Sequence, residues 1–316
     1  MSKQSVRRPA PKRRPQARKG RTVVAAHSAG KRSDRTSWII AGVVLAIGVA
    51  LVIVFAGAAK KKTPTGTVWF KGDRPAAASL VAKVTGVPQK TLTAVGKGSV
   101  TGLPEKLPGT TPLATADGKP RIVYLGAEYC PFCAAERWGM LQGLSRFGTF
   151  KNVKITRSAV TAPNGAGETD PNTPTFSFHG ATYSSPYIQF EPIEQQDNSY
   201  QPLETPTKEQ ATLAQTYDTA KYTGSSSSGA IPFIDFANEY MISGASYDPL
   251  VLAGKTHDEA ATALADPSTD ISKGAIGTAN VITATICKVT GNKPAKVCSD
   301  PAITAIEAQL PTKPLG

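Results

Sequence analysis

The spacing of hydrophobic positions changes sharply along this chain, and each change predicts a different kind of element. From Trp38 to Ala59 the chain reads WIIAGVVLAIGVALVIVFAGAA, without one charge. At 1.5 Å per residue that run makes a helix of about 33 Å, enough to cross a bilayer core. Soluble helices are seldom apolar on every face for so long, so the pattern predicts a single transmembrane helix over 37–59. The next segment, 60–120, opens with Lys, Thr, Pro and Gly and contains AAASLVAKVTG and PQKTLTAVG, which predict short helices. TGLPEKLPGTTPLATADGKP follows, punctuated by Pro and Gly. Together these read as a linker and N-terminal extension with little core of its own.

At Arg121 the pattern tightens. RIVYLGA is a short apolar run suited to a buried strand, and PFCAAERWGMLQGLSRFGTF carries Trp138, Leu141, Leu144 and Phe147 at helical spacing. NVKITRSAV predicts a second strand and hence a β-α-β unit. Residues 161–205, rich in Asn, Pro, Gly and Ser, read as an insertion with one or two short strands. TPTKEQATLAQTYDTAKY has Thr and Pro at a helix start and predicts a helix to about Tyr222. AIPFIDFANEYMISGASY predicts two strands joined near Asn238, and helices follow around His257–Ala265, Ala275–Val289 and Pro301–Leu310. The order is β-α-β, α, β-β, α within 121–316, an α/β domain large enough to bury its own core.

The formal net charge of +13 suggests nucleic acid until it is divided. Residues 1–62 hold 15 of the 36 Lys/Arg and only Asp34 among the 23 acids, leaving 21 bases against 22 acids in the rest. The basicity therefore belongs to the tail. A basic run before one apolar span predicts a cytoplasmic N-terminus and an extracytoplasmic C-terminal domain, although Lys60, Lys61 and Lys62 lie on the far side. Residues 1–36, rich in Arg, Lys and Pro, predict a disordered tail beside anionic lipid. A nucleic-acid tether is the rival for that tail; the reading adopted has no nucleic-acid partner. Ala56-Gly57-Ala58 would suit a signal peptidase, but the apolar run and the region before it are longer than a signal peptide's, which favours an uncleaved single-pass anchor in the cell membrane.

The four cysteines, Cys130, Cys133, Cys287 and Cys298, all follow the span, and an even number outside the cytoplasm fits an oxidising space. If a helix starts just after Cys130, that residue is the N-cap and Pro131 takes the first helical position, where its missing N–H costs nothing. Free backbone N–H groups and the positive helix end then favour a Cys130 thiolate. Cys130 is the expected exposed nucleophile and Cys133, one turn in, the shielded resolving thiol. A permanent structural crosslink is the plain alternative. Zinc through these cysteines needs two further ligands, and Cys287, Cys298, His27, His179 and His257 are not spaced to supply them; no metal is expected, and His179 and His257 read as surface or loop residues. Cys287 and Cys298 flank KVTGNKPAKV, whose Gly291 and Pro294 suit a chain reversal, and predict a structural disulfide; an electron relay to the first pair is its rival. With no Gly-rich dinucleotide fingerprint or P-loop, no organic cofactor is expected.

GAEYCPFC resembles the thioredoxin active-site stretch, with Glu128 and Tyr129 ahead of the first cysteine, and AIPFIDF is similar to that family's cis-proline strand. More specifically, YLGAEYCPFCAAERW, LSRFGTF, NTPTFSFHGATYSS and ICKVTG resemble an uncharacterised prokaryotic family of membrane-anchored thioredoxin-like proteins of unknown function. The resemblance implies a thioredoxin-like fold with an insertion and C-terminal helices, and a thiol–disulfide oxidoreductase acting on client proteins. It implies that Pro232 is cis and faces the cysteines, and that Ile231, Tyr129, Pro131 and Phe132 contact the client. The expected electron partner is a membrane protein, such as a quinone-linked thiol oxidase. Thioredoxins carry a buried aspartate six residues before the first cysteine; this chain has Tyr124 there. Glu136 is then a candidate proton carrier, or else a solvated carboxylate on the helix face, and Arg137 is expected to pair with an acid. The second functional class is an envelope assembly module whose cysteines are only structural.

Overall fold

β3 (Arg121–Gly126) lies inside a five-stranded sheet because five of its six residues are apolar or small enough to bury on both faces. In this computed structural model residues 68–108, 111–223 and 229–314 are described. They belong to one compact unit. The expected basic tail and membrane anchor lie outside the described residues. No helix among the described residues is long and apolar enough to cross a membrane.

In chain order, β1 (Arg74–Pro75), α1 (Ala78–Thr85), α2 (Gln89–Val95) and β2 (Glu105–Lys106) precede β3. α3 (Pro131–Leu144), β4 (Thr149–Lys151), β5 (Lys154–Arg157), β6 (Pro174–Ser177), β7 (Thr182–Ser184) and β8 (Gln189–Glu194) follow it. Next come α4 (Lys208–Tyr217), α5 (Ala220–Thr223), β9 (Phe233–Phe236) and β10 (Tyr240–Ser243). The chain closes with α6 (His257–Ala263), α7 (Asp270–Val289), α8 (Ala295–Cys298) and α9 (Pro301–Glu307).

The main sheet has the order β2-β10-β9-β3-β8. β3 runs parallel to β8 and antiparallel to β9, with Tyr124 opposite Pro192 on one side and Ile234 on the other. Successive β3 side chains point to opposite faces. Ile122 and Tyr124 join the large core that includes Trp138, Leu141 and Ile282. Val123 and Leu125 join the smaller core with Leu213 and Tyr217 of α4. The result is a mixed α/β arrangement with helices on both faces of the sheet.

Two sequence expectations are corrected here. The strand expected in NVKITRSAV exists as β5, but it pairs with β1 and β6 in a separate three-stranded sheet. The parallel neighbour of β3 is β8, which falls inside the segment read as an insertion over 161–205. β8 contains Pro192 and Glu191 and does not look like a core strand. It sits at the sheet edge, where a missing N–H leaves no ladder bond unmade. The extra material is therefore the β4–β7 region, and the β-α-β unit is β3-α3-β8.

Residues 60–120 contribute more core than expected. The two short helices form where predicted, and Leu80, Val84, Leu92, Val100 and Leu107 are buried. The helix expected to run to Tyr222 is two: Thr207 caps α4 in a box with Gln210, and the helix ends at Tyr217 before α5. α3 and α7 cross closely because glycines face small residues. A Cβ on Gly139 would lie 2.5 Å from Thr278 Cγ2, and one on Gly143 would lie 2.9 Å from the Ala279 carbonyl oxygen.

Candidate functional site

The site forms where β3 ends and α3 begins. Cys130 is the N-cap, with extended backbone at φ −77° and ψ 120°, and Pro131 occupies the first helical turn. Its Sγ accepts the Cys133 backbone N–H at 3.2 Å, satisfying one of the free donors at the helix start. The same sulfur lies 3.6 Å from the Ile231 carbonyl oxygen. The Ile231–Pro232 peptide is cis, and the Ile231 carbonyl at the turn into β9 faces the cysteine.

Both thiols are free and buried. Cys130 is 4 % exposed and Cys133 fully buried, which corrects the expectation of an exposed Cys130 and meets that of a shielded Cys133. The two sulfurs are electrostatically unequal. The Cys133 side-chain hydrogen bond holds the Cys130 thiol below its ordinary pKa, against the burial that opposes ionisation; the Cys133 backbone N–H and the Arg137 charge act in the same lowering direction. Burial pushes the Cys133 thiol well up, and its neighbour Cys130 pushes it further.

A buried ion pair lies under the site loop. Arg137 Nε donates to Glu194 Oε1 at 2.8 Å and Nη2 donates to Glu194 Oε2 at 2.5 Å. Nη2 also reaches the Ala127 carbonyl at 2.7 Å, and both side chains are fully buried. The expected acid partner of Arg137 is thus Glu194 on β8. The sequence signal for it is weak, since IQFEPIE carries two acids, and which of them meets Arg137 is decided only by β8 lying beside β3.

Glu136 is not a solvated carboxylate. It is fully buried, and its two oxygens accept the Ser246 backbone N–H and hydroxyl, each at 2.9 Å. Burial pushes its pKa to about 7. With both oxygens held by Ser246, nothing in its bonding links it to the sulfurs. Tyr124, standing where an aspartate was looked for, is also buried; its hydroxyl has no hydrogen-bond partner among the described residues, and burial drives its pKa well up.

The residues expected to contact a client divide. Phe132 is exposed at 42 %, whereas Pro131 is buried. Tyr129 stacks on Tyr200 with centroids 4.2 Å apart. Tyr200 was not singled out by the sequence; it lines an open groove of about 980 Å³ with Trp69, Val160 and Pro163.

The remaining candidates lie elsewhere. Cys287 and Cys298 are disulfide-bonded, with Cα atoms 5.5 Å apart, and join the end of α7 to α8. His257 is buried rather than on the surface: its Nε2 lies 2.9 Å from the carbonyl oxygens of Thr156 and Thr175, and burial lowers its pKa to about 4. His179 is partly exposed and contacts Asp73.

No curated protein and no solved structure matches this chain. One family, described as "Domain of unknown function (DUF929)", matches residues 111–288. That stretch runs from the approach to β3, through both thiols and the cis-proline, to the end of α7, and it is on this span that the chain belongs to the DUF929 family.

Proposed function

We propose that the domain is thioredoxin-like and that the protein is a thiol–disulfide oxidoreductase of client proteins, tethered to the membrane on its extracytoplasmic side. The fold reading is supported by element order. With β8 in its place, the series β3-α3-β8-α4-β9-β10-α7 keeps the β-α-β, α, β-β, α order that the hydrophobic pattern predicts. Tethering and compartment are supported by the apolar run and the one-sided charge of the sequence.

The observation that carries the activity is the placement of Cys130 Sγ, between the Cys133 backbone N–H in the first turn of α3 and the Ile231 carbonyl that precedes cis-Pro232. The Cys133 N–H and the Arg137 charge favour the thiolate, while the Ile231 carbonyl accepts from the neutral thiol and marks where backbone lies beside the sulfur. In the reducing direction the Cys130 thiolate attacks one sulfur of a client disulfide. A mixed disulfide forms while the client's second sulfur leaves as thiolate and takes a proton from water. Cys133 then attacks Cys130 Sγ, its proton passing to the client sulfur that leaves as the released thiol. The client gains two electrons, and the cysteine pair is left as a disulfide for a membrane redox partner to restore. In the oxidising direction each bond change reverses and the client dithiol supplies the electrons. Backbone beside Pro232 offers the client a place to pair as an added strand, and exposed Phe132 flanks it.

Cys133→Ala is expected to accumulate mixed disulfides between Cys130 and envelope proteins, and Cys130→Ala to accumulate few, on non-reducing electrophoresis at matched expression. Equal absence of adducts, with Cys130 no more reactive to alkylation than an ordinary thiol, overturns the enzyme reading. The second reading, an assembly module with the same fold, is favoured by one feature: both thiols are almost entirely buried. It predicts instability in both variants and no adducts.

A further inference from the structure

Two residues before Cys130, but directed away into the β1-β5-β6 side of the molecule, is a carboxylate that the thiol chemistry does not use. Glu128 is fully buried. Its Oε2 accepts the Thr156 hydroxyl at 3.3 Å and the Ser177 side chain lies beside the carboxyl group, while Oε1 makes no hydrogen bond of ordinary geometry among the described residues. Leaving a buried carboxylate oxygen unpartnered costs its full desolvation. Asp73 and His179 stand beside it. Ligand atoms of the three side chains all lie within 4.8 Å of one another, and Asp73 Oδ2 is 2.8 Å from His179 Nδ1. They come from three separate parts of the chain: the segment entering β1, the loop before α3, and the turn between β6 and β7.

We propose that Asp73, Glu128 and His179 form a site for a divalent transition-metal ion, with Zn²⁺ the best fit. Two carboxylates and one imidazole are a borderline-hard set with no thiolate, which suits Zn²⁺ over soft Cu(I), and the imidazole disfavours Mg²⁺ and Ca²⁺. Zinc ligands lie about 2.0–2.2 Å from the ion, so tetrahedral ligand atoms are about 3.4 Å apart. The Asp73–His179 separation of 2.8 Å has to open and any longer one to close for that geometry, and Asp73 and His179, both partly exposed, are the side chains that move. Three protein ligands leave a fourth position for water.

Lys154 is the present counter-ion. Its Nζ donates to both oxygens of Asp73, at 3.0 and 3.2 Å, and lies 3.5 Å from His179 Nδ1. The ammonium thus pairs with the Asp73 carboxylate and makes no bond to Glu128; a divalent ion would meet both carboxylates. Lys154 is 25 % exposed, so its long side chain can swing into water when the ion enters. The ion and Lys154 therefore compete, and metal would pin the N-terminal extension and the added sheet to the loop that carries Cys130.

The test uses the full chain in detergent with Cys130→Ser/Cys133→Ser, which removes the thiols that would also bind zinc. Equilibrium dialysis against Zn²⁺ with metal analysis is expected to give one ion per chain. His179→Ala and Asp73→Asn, both at partly exposed positions, are expected to weaken binding at least tenfold, and Lys154→Met to tighten it by removing the competitor. Thermal melting of each variant without metal checks folding. Mg²⁺ and Ca²⁺ at the same concentration are expected not to compete. No bound zinc in the Lys154→Met protein, or undiminished zinc in a folded Asp73→Asn/His179→Ala double variant, overturns the site. Because the thiols are absent, neither result bears on the oxidoreductase reading.

Discussion

α3 and α7 pack against each other through the middle of the domain, and each carries one member or both of a cysteine pair, yet they are built on opposite electrostatic terms. The buried positions of α7, from Ile271 to Cys287, include no charged side chain; Thr283 and Thr285 bond locally, to carbonyls four residues back, and Asn280 reaches out, to the Leu92 and Gly96 carbonyls. Its cysteine closes a short loop and ends in a disulfide. α3 buries Glu136 and Arg137 in consecutive positions and starts on two free thiols. Neutral polar groups can be satisfied within a helix, whereas buried charges need partners from elsewhere. α3 finds them in Ser246 and Glu194. Cysteine identity is the same in both helices; position relative to the helix start and the nearby charges separate a poised thiol from a crosslink.

The largest effect is expected from breaking the charge pair of α3. Arg137→Met leaves the Glu194 carboxylate buried without its partner, at a cost of about 3–5 kcal/mol, and denaturant melts are expected to show it as a lowered midpoint. Restoring the balance with Arg137→Met/Glu194→Leu should recover much of that loss. If the single variant is as stable as the parent, the ion pair is not what separates the two helices.

Next is the pH dependence that α3 imposes and α7 lacks. The folded pKa of Glu136 is raised to about 7 from 4.5. Its stabilising contribution is therefore fully present below pH 4.5 and lost as pH rises through 7, by on the order of 3 kcal/mol. Asp235, on β9 and raised to about 7 by burial, adds to the same slope. Glu136→Gln should flatten the stability–pH curve between pH 4.5 and 7 in urea melts; an unchanged slope would assign it to other groups.

Removing the α7 disulfide tests the other side. Cys287→Ser/Cys298→Ser opens a loop of about a dozen residues, and loop-closure entropy puts the loss near 3 kcal/mol at most. Thiol–disulfide turnover at a temperature where the variant stays folded should be unchanged. Lost turnover in a folded protein would make the second pair a relay and erase the contrast.

The smallest effect is chemical and local. In the reduced protein, alkylation of Cys130 should show a midpoint below that of a free thiol, about pH 8.5, and Cys133 should react slowly even at higher pH. Mass spectrometry of peptides after a timed pulse reads both. Equal rates would remove the inequality between the sulfurs.

By itself the sequence determined the elements and the local chemistry. Cys130-Pro131 marks a helix start because a proline without an N–H fits the first turn; the Thr-Pro that opens TPTKEQ marks another within two residues of its cap, which the structure places at Thr207. The strand at RIVYLGA, the two strands meeting near Asn238 and the pairing of Cys287 with Cys298 were legible for like reasons: each rests on interactions within a few residues, or on a short loop. Tertiary structure alone decided which strand lies beside β3, because a short strand's pattern says which face is apolar and not which neighbour it bonds. It decided that Glu136 is buried against Ser246 and that Glu194 meets Arg137, since the burial of a charge depends on partners that the fold brings from more than fifty residues away. It also brought Asp73 and His179 to Glu128. No spacing in the chain announces that meeting, because the three residues share neither a helix face nor a strand.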